Sequence, residues 1–161
     1  MKRTVVVLFL LFFIIVTGAI AEAIKVVPME DLLKPALISR DDTQIYISET
    51  NAKVLIFNAK SHALIKSFGK SGEGPREFMG FALVTPLKDQ LLINSFGKIS
   101  YFTKSGIFKK EIKNPGGGQT GFMFLPINGG FAAQGRAGGA DGLYSTVSFF
   151  DPNLKKVKEI Y

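Results

Sequence analysis

From Gln44 onward the chain is written in short apolar runs separated by polar turn residues. Gln44–Ser48, Lys53–Phe57 and Ala63–Phe68 are each five or six residues long, rich in Ile, Val, Leu and aromatic residues, and bounded by Asn, Ser, Lys or Gly. Such spacing predicts antiparallel strands joined by tight turns. Helical periodicity is nearly absent after Lys34, so an all-β fold is expected. Ahead of it, Ile24–Val27 could make a strand and Pro28–Lys34 one or two helical turns before Pro35.

The pattern repeats. A first unit has expected strands at Ala36–Ser39, Gln44–Ser48, Lys53–Phe57 and Ala63–Phe68, and a second at Phe81–Thr85, Gln90–Asn94, Ile99–Thr103 and Ile107–Ile112. In a third they fall at Gly121–Pro126, Gly130–Gln134, Thr146–Phe150 and Lys156–Ile160. Phe57, Phe102 and Phe150 each close a third strand and lead into a polar turn, at spacings of 45 and 48 residues. Strands such as Leu64–Phe68 and Ile107–Ile112 alternate apolar and charged positions, as strands with one wet face do. A period of about 40–50 residues with four strands per unit predicts the blades of a β-propeller.

Residues 45–57, followed by Phe68-Gly69-Lys70-Ser71-Gly72-Glu73-Gly74-Pro75-Arg76-Glu77-Phe78, carry a family resemblance. They resemble the NHL-type repeat of six-bladed β-propellers, nearest the exported bacterial group whose inter-blade loop reads Gly-x-Gly-Pro-x-Glu-Phe. The match is specific in the first unit, whereas only the strand pattern survives in the others. Glu49 stands where such repeats often carry Asp, and Arg76 where glycine is frequent. The resemblance implies six blades, while this chain has room for three, at about 35–78, 79–118 and 119–161. An arc of three leaves an apolar face bare at each end. A truncated propeller, or two copies closing a six-bladed ring about a two-fold axis, would each account for that. Residues 22–34 are too few to cover two blade faces.

The N-terminus alters the setting. Met1-Lys2-Arg3-Thr4, an uncharged run from Val5 to Ala21 and the small residues of Ala19-Ile20-Ala21 predict a signal peptide over 1–21, cleaved after Ala21. An uncleaved membrane anchor is the competing reading, for which the run is short. The expected location is periplasmic or extracellular. There is no cysteine, so neither disulfides nor a lipidated cysteine enter. Cleavage removes Lys2 and Arg3 and no acid, leaving 18 basic residues against 13 acidic ones, so +7 falls to +5. That charge is mild and scattered, which argues against a nucleic-acid partner.

Candidate chemistry is thin. Gly69–Pro75 lacks the Gly-Lys-Ser/Thr ending and following helix of a phosphate cradle, and reads as a crossover between blades. Phe78 and Phe81 are expected to plug between blades, and Glu77 to cap a turn or pair with Arg76. His62, the only histidine, has no nearby acid and reads as an exposed turn residue. Propeller enzymes such as lactonases and amidating lyases gather acidic, amide or histidine ligands at the channel mouth. Glu49, Asn51, Asn94, Asp41, Asp42 and Asp141 are candidates, yet none recurs at one position in all three units. The glycine-rich stretch Gly135–Gly142 reads as a long loop that could present Arg136 and Asp141 to a ligand. The ligand-binding candidates are therefore Arg136, Asp141, Glu49 and Asn51; no catalytic residue, metal or cofactor is assigned. An exported recognition scaffold for a protein, peptide or glycan is the expected function. Its alternative is a fragment of a metal-dependent propeller hydrolase or lyase.

Overall fold

The computed structural model describes residues 28–29, 31–115, 120–139 and 142–160. The expected signal peptide, the strand at Ile24–Val27 and Asp141 lie outside them. Twelve strands follow in order: β1 (Pro35–Arg40), β2 (Gln44–Glu49), β3 (Val54–Asn58), β4 (Leu64–Phe68), β5 (Leu83–Pro86), β6 (Gln90–Ser95), β7 (Lys98–Thr103), β8 (Phe108–Lys113), β9 (Thr120–Ile127), β10 (Gly130–Gly139), β11 (Gly142–Phe150) and β12 (Lys156–Ile160). They form three antiparallel four-stranded meanders, β1–β4, β5–β8 and β9–β12.

The three sheets stack face to face, with β5 of the middle sheet against both β1 and β9. Each sheet has a leading face, turned toward the N-terminal side of the stack, and a trailing face turned the other way. Between the first two sheets, Tyr46, Val54 and Ile56 meet Val84, Leu91, Ile93 and Phe102. Between the second and third, Leu92, Ile99 and Tyr101 meet Phe124, Phe131, Ala133 and Phe150. Alternation along each strand sends successive residues to opposite faces, so Leu91 and Ile93 pack backward while Leu92 packs forward. Both faces of the middle sheet are apolar because both are buried.

Phe57, Phe102 and Phe150 occupy equivalent places. Each is at most 2 % exposed and lies on the leading face of its sheet. Each also sits at a register shift against the outer strand, between Ile56 and Phe57, Tyr101 and Phe102, and Phe149 and Phe150. The turn after each is capped alike. Asn58 Oδ1 accepts from the Lys60 and Ser61 amides, Thr103 Oγ1 from Ile107, and Asp151 Oδ1 from Asn153 and Lys155. A left-handed residue completes each turn: His62 (φ 59°), Gly106 (φ 75°) or Leu154 (φ 61°). His62 is half-buried rather than exposed, because the left-handed turn folds it back.

Several expectations are corrected. Met29 and Asp31–Lys34 carry no helix: Leu32 N–H donates to Met29 O (3.0 Å), and no helix is found among the described residues. This segment lies on the leading face of the first sheet, Met29 and Leu32 packing against Ile47, Leu55 and Phe57. It covers part of one end of the arc. Phe78 is fully buried between the first two sheets, but Phe81 is 48 % exposed and plugs nothing. Gly135–Gly139 and Gly142–Ser145 are not a loop: β10 and β11 stay in register to the pair Gly139–Gly142.

Candidate recognition surface at the hairpin end

The β2–β3, β6–β7 and β10–β11 hairpins and the linkers between sheets share one end of the arc. Phe96 N–H donates to Met79 O (3.3 Å) and Asn114 N–H to Gly97 O (2.9 Å), tying both linkers to the β6–β7 turn. The second linker enters β9 at Thr120, paired with Gly135. The long β10–β11 hairpin therefore points the same way. Phe131 and Phe150 correspond to Leu91 and Phe102, so Gly135 and Thr146 match the last paired residues of the β6–β7 ladder, Ser95 and Lys98. Arg136–Gly139 and Gly142–Ser145 project beyond the other hairpins as a two-stranded ribbon.

Glu49 is fully buried and serves the backbone. Its Oε1 accepts from the Leu33 (2.8 Å) and Lys34 (3.1 Å) amides, and its Oε2 from Asn51 Nδ2 (3.3 Å). Burial alone would raise its carboxyl, but the Lys34 and Leu33 amides, Asn51 and the nearby Lys53 charge together hold it below its ordinary value. Asn51 is exposed, yet its Oδ1 is engaged by the Lys53 amide at 3.0 Å. Together they form a clamp on the N-terminal segment. Arg136 is exposed on the projecting ribbon, in a different sheet, paired across the ladder with Ser145. The structure does not bring it together with Glu49 and Asn51.

The first linker is held from several sides. Gly69 (φ 84°) could not carry a side chain, since a Cβ there would lie 2.6 Å from the Phe78 ring and 2.9 Å from Ala52 O. Glu77 pairs with Lys70 (2.7 Å), not Arg76, and accepts from the Gly74 amide (3.0 Å). Lys98 Nζ, on a side chain 14 % exposed, donates to Gly74 O (2.8 Å) and Glu111 Oε1 (3.3 Å). Its carbonyl is taken by an ammonium and one amide by a carboxylate, so this glycine loop is braced rather than open to an anion.

What this end offers a ligand is apolar surface. Phe96 is 61 % exposed and Leu143 70 %, with Met79, Phe81 and Tyr144 also exposed. Sequence reasoning passed over Phe96, Met79, Leu143 and Tyr144, and placed Phe81 between blades instead. A phenylalanine inside the turn Ser95-Phe96-Gly97 was the available signal, because such a turn is normally polar. Among the described residues no three His, Asp or Glu side chains come close enough to hold a metal.

Three stacked four-stranded meanders with their inner strands side by side make the chain a partial β-propeller of about three blades. Similarity to a solved structure bears this out: the WD40 domain of Neurospora crassa Pan2 superposes with a TM-score of 0.53 over 79 % of this chain at 13 % identity. The chain spans 38 % of that domain's length. No family model matches the sequence, and no curated protein matches it.

Proposed function

We propose that this chain is an exported propeller-type scaffold that recognises an extended segment of another protein, or a peptide, at the hairpin end. The ribbon Arg136–Gly139/Gly142–Ser145 carries the reading: it projects past its counterparts and displays Leu143 and Tyr144 beside strand edges that have no partner strand among the described residues. Apolar side chains next to backbone that no described strand pairs suit an added peptide strand better than a glycan. Arg136 supplies a cation for an acidic position on that strand. The NHL-type resemblance supports the same reading, and a signal peptide over residues 1–21 would deliver the chain outside the cytoplasm.

A displayed library of linear peptides, panned on the purified protein, tests it. Enriched sequences should carry apolar anchors, and binding should fall at least about tenfold when Phe96, Leu143 and Tyr144 are all changed to serine. Failure to enrich, or enrichment that ignores the triple change, would refute the reading. The hydrolase or lyase alternative has no observation in its favour, since Glu49 is committed to two backbone amides. The proposed partners also include a second copy of the chain, through the flanks of the arc.

A further inference from the structure

We propose that Met29 and Leu32–Lys34 are a strap seated where a neighbouring blade belongs, and that the trailing face of a second copy's third sheet competes with them for that seat. The inference concerns the two flanks of the arc and rests on the second-copy reading, not on peptide recognition at the hairpin end.

The two internal junctions define what such a seat looks like. At each, a trailing face meets the leading face of the next sheet through equivalent positions. The trailing series is Val54, Ile99 and Val147, and also Ile56, Tyr101 and Phe149. Val54, Ile56, Ile99 and Tyr101 are at most 6 % exposed, whereas Val147 is 37 % exposed. Leu125 is 64 % exposed where Thr85 is 4 %, and Ile160 is 45 % exposed at the place of Ile112. The third sheet thus keeps apolar residues wherever its predecessors use them to hold a following sheet.

The leading face of the first sheet matches it. Phe57 and Ile45 stand where Phe102 and Leu91 seat the second sheet. The strap covers only the centre of this face. Ile38 remains 68 % exposed where Val84 is 4 %, and Leu64 is 36 % exposed where Phe108 packs into the core. Two backbone bonds to Glu49, one from the Thr50 amide to Lys34 O (3.0 Å), and the contacts of Met29 and Leu32 hold the strap. A four-stranded sheet would cover what it leaves bare. Two copies joined trailing to leading face at both flanks close on themselves about a two-fold axis, so the assembly stops at two.

The test is sedimentation velocity of the mature chain from Glu22 onward over a concentration series, comparing wild type with Glu49→Gln, Leu32→Ser and Val147→Asp. Circular dichroism establishes that each variant is folded. Loosening the strap raises the fraction of open seats, so Glu49→Gln and Leu32→Ser should each tighten dimerisation at least about fivefold. Leu32→Ser leaves the sheet untouched and stands in if Glu49→Gln fails to fold. Val147→Asp should abolish the dimer. Because the chain has no cysteine, Ile38→Cys with Leu125→Cys should give a disulfide-linked dimer on oxidation. Monomers throughout, strap variants that dimerise no better, a dimer that survives Val147→Asp, or open-ended oligomers would each overturn the proposal.

Discussion

Glu49 is where residue chemistry is most exposed to measurement. A buried carboxylate that accepts two backbone amides leaves both unsatisfied when removed, and Glu49→Ala should cost about 1.5–3 kcal/mol by chemical denaturation. Its folded pKa lies below the ordinary 4.5, so the stability it contributes is complete above that value and disappears as pH falls through the lower folded one. Wild type should therefore lose melting temperature below about pH 4.5, while Glu49→Gln shows a flatter profile there. At the opposite end, Asp41 will steepen the same acid limb. Burial opposes its ionisation, but Lys104 (2.5 Å), the Thr43 and Gln44 amides and Tyr46 hold its carboxyl far below the usual range. The profile of the double variant Glu49→Gln/Asp41→Asn separates the two contributions. His62 makes a backbone prediction: at φ 59° a glycine costs nothing, so His62→Gly should hold stability within about 0.5 kcal/mol. The β-branched His62→Val should lose about 1 kcal/mol or more.

At the scale of strands, burial and position part company with hydrophobicity. Phe102 packs its ring against Phe68 (4.6 Å), Phe78 (6.1 Å) and Phe108 (5.5 Å), while Phe96 stands in a turn. Phe102→Ala should cost about 3–5 kcal/mol in urea denaturation and Phe96→Ala less than about 0.5 kcal/mol. That difference was half legible. The repeat Phe57, Phe102, Phe150 could be read because a register-fixing aromatic before a polar turn recurs at near-constant spacing. All twelve strands were legible for the same reason, since alternation and turn residues are local. The register shift at each of these phenylalanines was not, because it depends on how two strands twist past each other. Nor was the ribbon: glycines that read as a loop are compatible with extended backbone when both partner strands supply the ladder. The structural role of Glu49 was not legible because its donors, the Leu33 and Lys34 amides, come from a segment whose turn no local pattern announces.

Across the whole molecule, stability should be graded by neighbours. In stacked repeats each unit draws most of its stabilisation from the sheets it touches. The middle sheet touches two, and Leu91, Leu92, Ile93 and Ile99 are fully buried from both sides. The first sheet has one sheet and a strap, and the third has one sheet and an open flank. Hydrogen exchange of the dilute protein should therefore be slowest in Leu91–Ile93 and Ile99–Phe102, intermediate in β2 and β3, and faster in β10 and β11. Within β11 it should quicken from Thr146 toward Gly142, where the ribbon runs clear of the core. Raising the protein concentration provides the decisive comparison. If the flanks pair, protection should climb in the Val147–Phe150 stretch while Leu91–Ile93 stays as it was. Equal protection across all three sheets in the dilute protein would mean that the stack does not behave as three neighbour-dependent units, and the equivalence of its junctions would lose its energetic content.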